Sequence, residues 1–338
     1  MNTGRQALEN IGIKVDKYYS SELKPYAIEL TQYHFPDTIQ LGDVTKWKDW
    51  DIDWKSINFI LSGSPCQDLS IAGKRKGING KKSSLFWVFI EILQHVKSLN
   101  PNVYFFQENV GSASLLDIGI MSRAMGVYPV RINSSLVTAQ LRDRYYWTNI
   151  KTRQEGMFGD LVTDIPQPKD RKIMFKDILT DGYTDRDKST AILEGYGYKN
   201  SYKDEQSNDS QKYLKSRDSM GMCPIVYIEN NELRVKANTL KGYDVITKND
   251  CLNLSFPTSK TRRGRVTKGK SPCLLQGNEP LFALKEDGVR LLNKIELCRL
   301  QGFPDNYCDI LSRNKAASLL GDGWTLPIIE HIFSFIPT

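Results

Sequence analysis

Between residues 12 and 150, segments of strand character and segments of helix character take turns. "GIKVDKYY" (12–19) reads as a strand and "KPYAIELTQYHF" (24–35) as a helix. "TIQLGDV" (38–44) and "INFIL" (57–61) read as strands. "SLFWVFIEILQHVKSL" (84–99) has apolar residues at 85, 86, 89, 92, 93 and 96, one stripe of a helix that must stop at Pro101. "NVYFF" is a strand, "SLLDIGIMSRAM" a helix, and "PVRINSSLV" and "YYWTNI" are strands. Strands separated by helices leave few solutions, because each helix must bury its apolar stripe against the sheet. The expected fold class is α/β: a doubly wound, mostly parallel sheet covered on both faces. In such sheets ligands sit at the carboxyl ends of the strands.

The alternation stops near residue 155. From about 176 to 285 the chain is polar and tyrosine-rich. Its most basic stretch, "TSKTRRGRVTKGK" (258–270), holds six Lys/Arg and no acid. Regular patterning returns with "LLNKIELCRLQGF", "KAASLLG" and "TLPIIEHIFSFI". With 338 residues, 40% of them apolar, the chain can bury one large core and one smaller one. The expected organisation is an α/β domain over 1–175, an inserted small domain over 176–285, and a return to the first domain over 286–338.

Several classes of protein are disfavoured. No apolar run approaches the roughly 18–20 residues that span a bilayer. "MNTGRQALENIG" lacks the apolar core of a signal peptide. Cysteines stand singly at 66, 223, 251, 273, 298 and 308, and the three histidines are far apart, so no metal site is expected. With no secretory signal, the thiols are expected to be reduced and the protein intracellular. A net charge of +7 is a mild pointer to a polyanionic partner.

Four strand ends in the first half carry a polar or reactive group: Glu22, Asp43, Cys66 and Glu108. In a doubly wound sheet these would converge on one crevice. Cys66, in "INFILSGSPCQDLS", is a candidate nucleophile, and Glu108, in "FFQENV", a candidate acid or hydrogen-bond donor. A lone cysteine is more often a small buried apolar residue, so neither residue decides the function alone.

The combination resembles the C5-cytosine DNA methyltransferase family. "GSPCQDLS" is similar to its Pro-Cys loop, "ENV" (108–110) to its Glu-Asn-Val motif and "QLRDR" (140–144) to its Gln-x-Arg-x-Arg motif. "RLQGFPD" (299–305) and "GDGWTLP" (321–327) follow in the family's order. The first half looks most like the branch holding animal de novo methyltransferases and their bacterial and phage relatives. The resemblance implies a Rossmann-like, S-adenosylmethionine-dependent methyltransferase domain with an inserted target-recognition domain. It implies that Cys66 attacks C6 of a flipped-out cytosine, that Glu108 engages N3 and the exocyclic amine, that Arg144 contacts the base and that Arg142 orients Glu108. For the cofactor it implies Glu22 on the ribose, Asp43 on the adenine amino group, Leu23 and Val44 against adenine, Leu85 beside it, and Thr3, Gly63, Asp322 and Trp324 around the remainder. The family usually has Asn where this chain has Asp322, which puts the contact with the methionine end in doubt.

Double-stranded DNA is the implied partner, with Gln67, Ser70, Arg75, Lys76 and Gln140 meeting it near the catalytic loop. Arg262, Arg263 and Arg265 are the basic residues of the insert expected on phosphates. A bacterial cytoplasm, close to the nucleoid, or a phage genome is the expected setting, with a cognate restriction endonuclease as a companion. Against the family pattern, "MNTG" fits only the tail of the first motif, and its strand and Phe-Asp-Gly are missing. Three readings stay open for that: a start upstream of Met1, a separate polypeptide supplying the piece, or a non-catalytic relative. Two other functions stay open as well: a silent DNA-binding partner protein of this fold, and a tRNA cytosine-5 methyltransferase.

Overall fold

The structure, a computed structural model, describes residues 1–64, 84–180, 189–190, 226–229, 232–236, 239–246, 250–252, 266–268, 282–285 and 288–337. Cys66, Gln67, Ser70, Arg75, Lys76, Arg262, Arg263 and Arg265 lie outside them. The chain divides into two units: Met1–Val137 with Arg142–Asp170 and Trp324–Thr338, and Thr138–Leu141 with Arg171–Gly323. The return to the first unit thus begins at Trp324, later than the 286 read from patterning.

The first unit contains α1 (Thr3–Asn10), β1 (Tyr19–Ser20), α2 (Pro25–His34), β2 (Ile39–Gln40), β3 (Phe59–Gly63), α3 (Ser84–Leu99), β4 (Tyr104–Val110), α4 (Leu115–Met125) and β5 (Val130–Asn133). β1 and β2 pair in parallel, as do β3 and β4. After β6 (Gln140–Leu141) of the second unit, β7 (Asp143–Thr148) runs antiparallel between β4 and β5, giving the order β3-β4-β7-β5. The expected alternation is present, but β1 and β2 are only two residues long. A bend at Asp16 and the positive φ of Gly42 limit how far they run.

The sheet is covered on both faces. On one, Phe86, Phe89, Ile90 and Leu93 of α3 and Met121 and Met125 of α4 enclose Phe105 and Trp147. Ser114 caps α4 by accepting from Asp117 N–H, and Gly126 ends it at φ 77. On the other face, Phe333 packs edge-on against Phe59 and Phe106, at centroid distances of 4.9 and 5.5 Å. Phe333 closes the C-terminal helix of the first unit, Leu326–Phe333.

Trp147 is fully buried, and its Nε1–H donates to Ser122 Oγ at 2.9 Å. Trp147→Ala is expected to cost about 3–5 kcal/mol of stability, because it opens a cavity between sheet and helices and removes the donor to Ser122 Oγ, which keeps only its own bond to Ile118 O. Urea denaturation followed by far-UV circular dichroism checks this.

The second unit carries antiparallel pairing, including the three-stranded sheet of Val226–Glu229, Glu232–Lys236 and Tyr243–Ile246. Its helix Lys294–Gln301 starts with a capping box between Asn293 and Glu296 and ends at Gly302, φ 76. No helix among the described residues is long and apolar enough to cross a membrane.

Candidate active site

Strand register places Glu108. It stands opposite Gly63 on β3 and Tyr146 on β7. Arg144 lies two residues along β7 from Tyr146, so its side chain reaches diagonally across the same face. Arg144 Nε is 2.8 Å from Glu108 Oε1, with the two side chains 13% and 11% exposed. The Nε–H is not aligned with that oxygen and has no hydrogen-bond acceptor among the described residues. The contact is therefore an ion pair without a charge-assisted hydrogen bond. The guanidinium is anchored at its other end, where Nη1 donates to Asp143 O at 2.8 Å.

The resemblance assigns the orienting of Glu108 to Arg142, but the ion pair to Glu108 is made by Arg144. Arg142 is 4% exposed, its N–H donates to Asn133 Oδ1 at 3.2 Å, and its carbonyl accepts from Ser134 N–H at 2.8 Å. Both guanidinium charges bear on the Tyr146 phenol. Burial, reinforced by the Glu108 charge, outweighs them and pushes that phenol up, so it stays neutral.

Asp143, between the two arginines, locks the segment in place. Its Oδ2 accepts from Arg131 Nε at 2.8 Å, and its carbonyl accepts from Gly111 N–H at 3.0 Å. A Cβ on Gly111 would lie 2.6 Å from Asp143 Oδ2, so this close approach requires glycine. Sequence reading passed over Asp143 and Gly111. The interleaving of an acid with two arginines was the available signal.

The strand-end carboxylates Glu22 and Asp43 are held by their own turns. Glu22 Oε1 accepts from Leu23 N–H at 2.8 Å and Lys24 N–H at 3.0 Å, just ahead of α2. Asp43 Oδ1 accepts from Thr45 N–H and Thr45 Oγ–H at 2.9 and 2.8 Å. Those bonds, the backbone one first, hold the Asp43 carboxyl below its usual range. The pairing of Tyr19 with Ile39 and Ser20 with Gln40 sets the two turns side by side, and Ser21 Oγ–H donates to Gly42 O at 2.6 Å. Each carboxylate keeps a second oxygen, Glu22 Oε2 and Asp43 Oδ2, with no hydrogen bond or ion pair among the described residues. Leu23 is 66% exposed beside them, and Val44 packs against the Trp47 cluster.

Gly63 and Trp324 come together at the end of β3. A Cβ on Gly63 would be 2.8 Å from Trp324 Nε1, and Trp324 packs edge-on against Phe106 at 5.0 Å. Thr3 is buried at the start of α1, and Leu85 is half-buried at the start of α3. Asp322 is exposed at the end of its helix, Arg313–Asp322, in the second unit.

Gln140, expected at DNA, is not presented to it. The residue is fully buried in the second unit, and its Nε2 donates to Leu300 O at 3.0 Å and Gln301 Oε1 at 3.3 Å. Its amide N–H groups tie "QL" to the "RLQGFPD" segment. That segment is itself braced by Arg299, which meets Asp305 at 2.7 and 2.6 Å.

Carboxylates just beyond the parallel pair β1–β2 and an arginine-held glutamate on β4, beside the parallel strand β3, are the polar groups that this α/β fold presents. The description of one family, "C-5 cytosine-specific DNA methylase", matches residues 2–125 and 126–337, and the chain belongs to that family. It is 24% identical over 331 residues to the Type II methyltransferase M1.ScrFI of Lactococcus lactis subsp. cremoris, covering 94% of this chain and 71% of that protein. It is 23% identical over 403 aligned positions to the Type II methyltransferase M.NgoBV of Neisseria gonorrhoeae, covering 97% and 93%. Among solved structures, the Entamoeba histolytica methyltransferase EhMeth is similar in fold, with a TM-score of 0.52, 15% identity, and coverage of 99% of this chain and 94% of that one.

The protein is a DNA (cytosine-5)-methyltransferase, and its cofactor is S-adenosylmethionine. The residues fit that cofactor. Two fixed carboxylates with an oxygen to spare suit ribose hydroxyls and an adenine amino group, and an exposed Leu23 suits the flat face of adenine.

Proposed function

We propose that Cys66 is the nucleophile and that Glu108 and Arg144 hold the cytosine it attacks. C5 of cytosine is a poor nucleophile on its own. When the Cys66 thiolate bonds to C6, the C5=C6 pair shifts to C4–C5 and the C4=N3 pair onto N3, which takes up a proton from water that the Glu108 carboxylate then holds, and C5 becomes the nucleophilic carbon of an enamine. Splitting the reaction this way replaces one hard step by easier ones. Glu108 serves N3 and the exocyclic amine, and the observation that carries this is its ion pair with Arg144 at 2.8 Å. That pair leaves Oε2 without a partner among the described residues. Arg142 lies on the same segment and adds positive charge near the carbonyl edge of the base. After transfer, loss of the C5 proton restores the double bond and expels the thiolate.

S-adenosylmethionine supplies the methyl group from a sulfonium. Glu22 takes its ribose, Asp43 its adenine amino group, Leu23 and Val44 its adenine face, and Trp324 lies toward the cationic sulfur, where an aromatic face is favourable. Thr3, Gly63 and Leu85 complete the surround within the first unit. The target base has to leave the duplex to reach such a site.

The second unit reads the sequence around the target. Arg262, Arg263 and Arg265, together with Arg75 and Lys76 of the catalytic loop, contact phosphates, and Gln67 and Ser70 meet the DNA. The Type II names of the bacterial relatives support a companion restriction endonuclease and a setting in a bacterial cytoplasm at the nucleoid, whereas the Orphan methyltransferase M.SPRI of Bacillus phage SPR supports a phage genome as the alternative. Duplex DNA with 5-fluorocytosine at the target tests the proposal. Fluorine cannot leave as a proton does, so the enzyme, given cofactor, is expected to stall as an adduct that survives denaturant and adds the oligonucleotide's mass. A protein that methylates ordinary DNA without forming this adduct refutes the covalent route.

A further inference from the structure

Gln107 occupies a position where packing alone would favour an apolar residue. It lies in the middle of β4, which is buried on both faces, and it is fully buried itself. Strand alternation sets Gln107 and Asn109 on the face opposite Glu108. Gln107 Nε2 donates to Ser64 Oγ at 2.8 Å and to Glu108 O at 2.9 Å. Asn109 Nδ2 donates to the same Ser64 Oγ at 3.1 Å. Ser64 is itself buried, directly after β3, and in the sequence it is two residues before Cys66. Two side-chain amides from one strand thus converge on a single hydroxyl and occupy both its acceptor positions.

The arrangement has a cost. Gln107 Oε1 is buried with no hydrogen-bond partner. The amide cannot be turned over to relieve this, because its oxygen would then face Glu108 O, which can only accept. A methionine would fill similar volume with no orphaned acceptor.

We propose that Gln107 is a positioning residue for the covalent step. With Asn109 it clamps the Ser64 hydroxyl and so holds fast the end of β3, two residues before Cys66 in the sequence. The inference rests on the reading of Cys66 as nucleophile. It accounts for a buried glutamine retained despite its orphaned oxygen, since small misplacements of a reacting group lower rates steeply.

The test uses the full chain, with 5-fluorocytosine duplex and cofactor in single turnover. Gln107→Met is expected to slow adduct formation about ten- to a hundred-fold. Its dissociation constants for DNA and cofactor should be unchanged, and its melting temperature close to wild type, because the loss of two buried hydrogen bonds is offset by removal of the orphaned oxygen. Ser64→Ala should slow the step similarly, and Ser64→Thr, which keeps a hydroxyl, should recover most of the rate. Adduct formation by Gln107→Met at the wild-type rate overturns the proposal. So does a rate loss that tracks a fall in melting temperature, with Ser64→Thr no better than Ser64→Ala, since Gln107 would then only pack. A wild-type chain that forms no adduct removes the nucleophile itself, and with it any step for Gln107 to position.

Discussion

Cys66→Ser is expected to abolish the denaturant-stable adduct with 5-fluorocytosine DNA and to lower methyl transfer by about 10⁴-fold or more. The reason is chemical. A thiol of ordinary acidity is a few per cent thiolate near neutral pH and intrinsically very nucleophilic, whereas a serine hydroxyl stays protonated. Serine conserves size and shape, so DNA and cofactor affinities should hold in filter binding and calorimetry. That separation of binding from bond formation distinguishes a nucleophile from a buried structural cysteine, whose replacement would instead lower the melting temperature. A serine variant that still gives the adduct would place the nucleophile elsewhere in the chain.

The second large effect concerns the ion pair. Glu108→Gln keeps the shape of the side chain but removes the carboxylate charge that accepts from the exocyclic amine and holds a proton on N3. The expected loss in kcat is about 10²- to 10⁴-fold, with little change in affinity for DNA. Arg144→Met should cost activity and also about 3 kcal/mol of stability, because Glu108 would be left nearly buried without its cation, its side chain only 11% exposed. In the double variant Glu108→Gln, Arg144→Met no unpaired carboxylate remains. The two stability losses should therefore fall short of additivity by about 1–3 kcal/mol. Thermal unfolding of the four proteins gives the coupling energy directly. Strict additivity would show that the 2.8 Å contact carries no energy.

The α/β class was legible because apolar stripes with helical spacing alternate with β-branched and aromatic runs, and α3 and β4 follow that reading closely. Glu108, Arg142 and Arg144 were legible as a set because they fall in two short motifs. Which arginine meets Glu108 was not legible. Residues 142 and 144 point to the same side of an extended segment, and only the pairing of Glu108 with Tyr146 shows that 144 is the diagonal neighbour. Gln140 was misread for a related reason. A polar side chain next to two arginines looks exposed in one dimension, yet its hydrogen-bond partners, Leu300 and Gln301, are about 160 residues away.

The amino-acid order alone determined which segments become strands and helices, and which residue types stand at strand ends. Those depend on local backbone preference and on the period of apolar residues, both properties of neighbours in the chain. Tertiary structure alone decided that two amides grip the Ser64 hydroxyl, that Asp143 is wedged against Gly111, and that one guanidinium approaches one carboxylate. Such contacts depend on the register between strands far apart in sequence, where a shift of a single residue would turn every side chain to the opposite face.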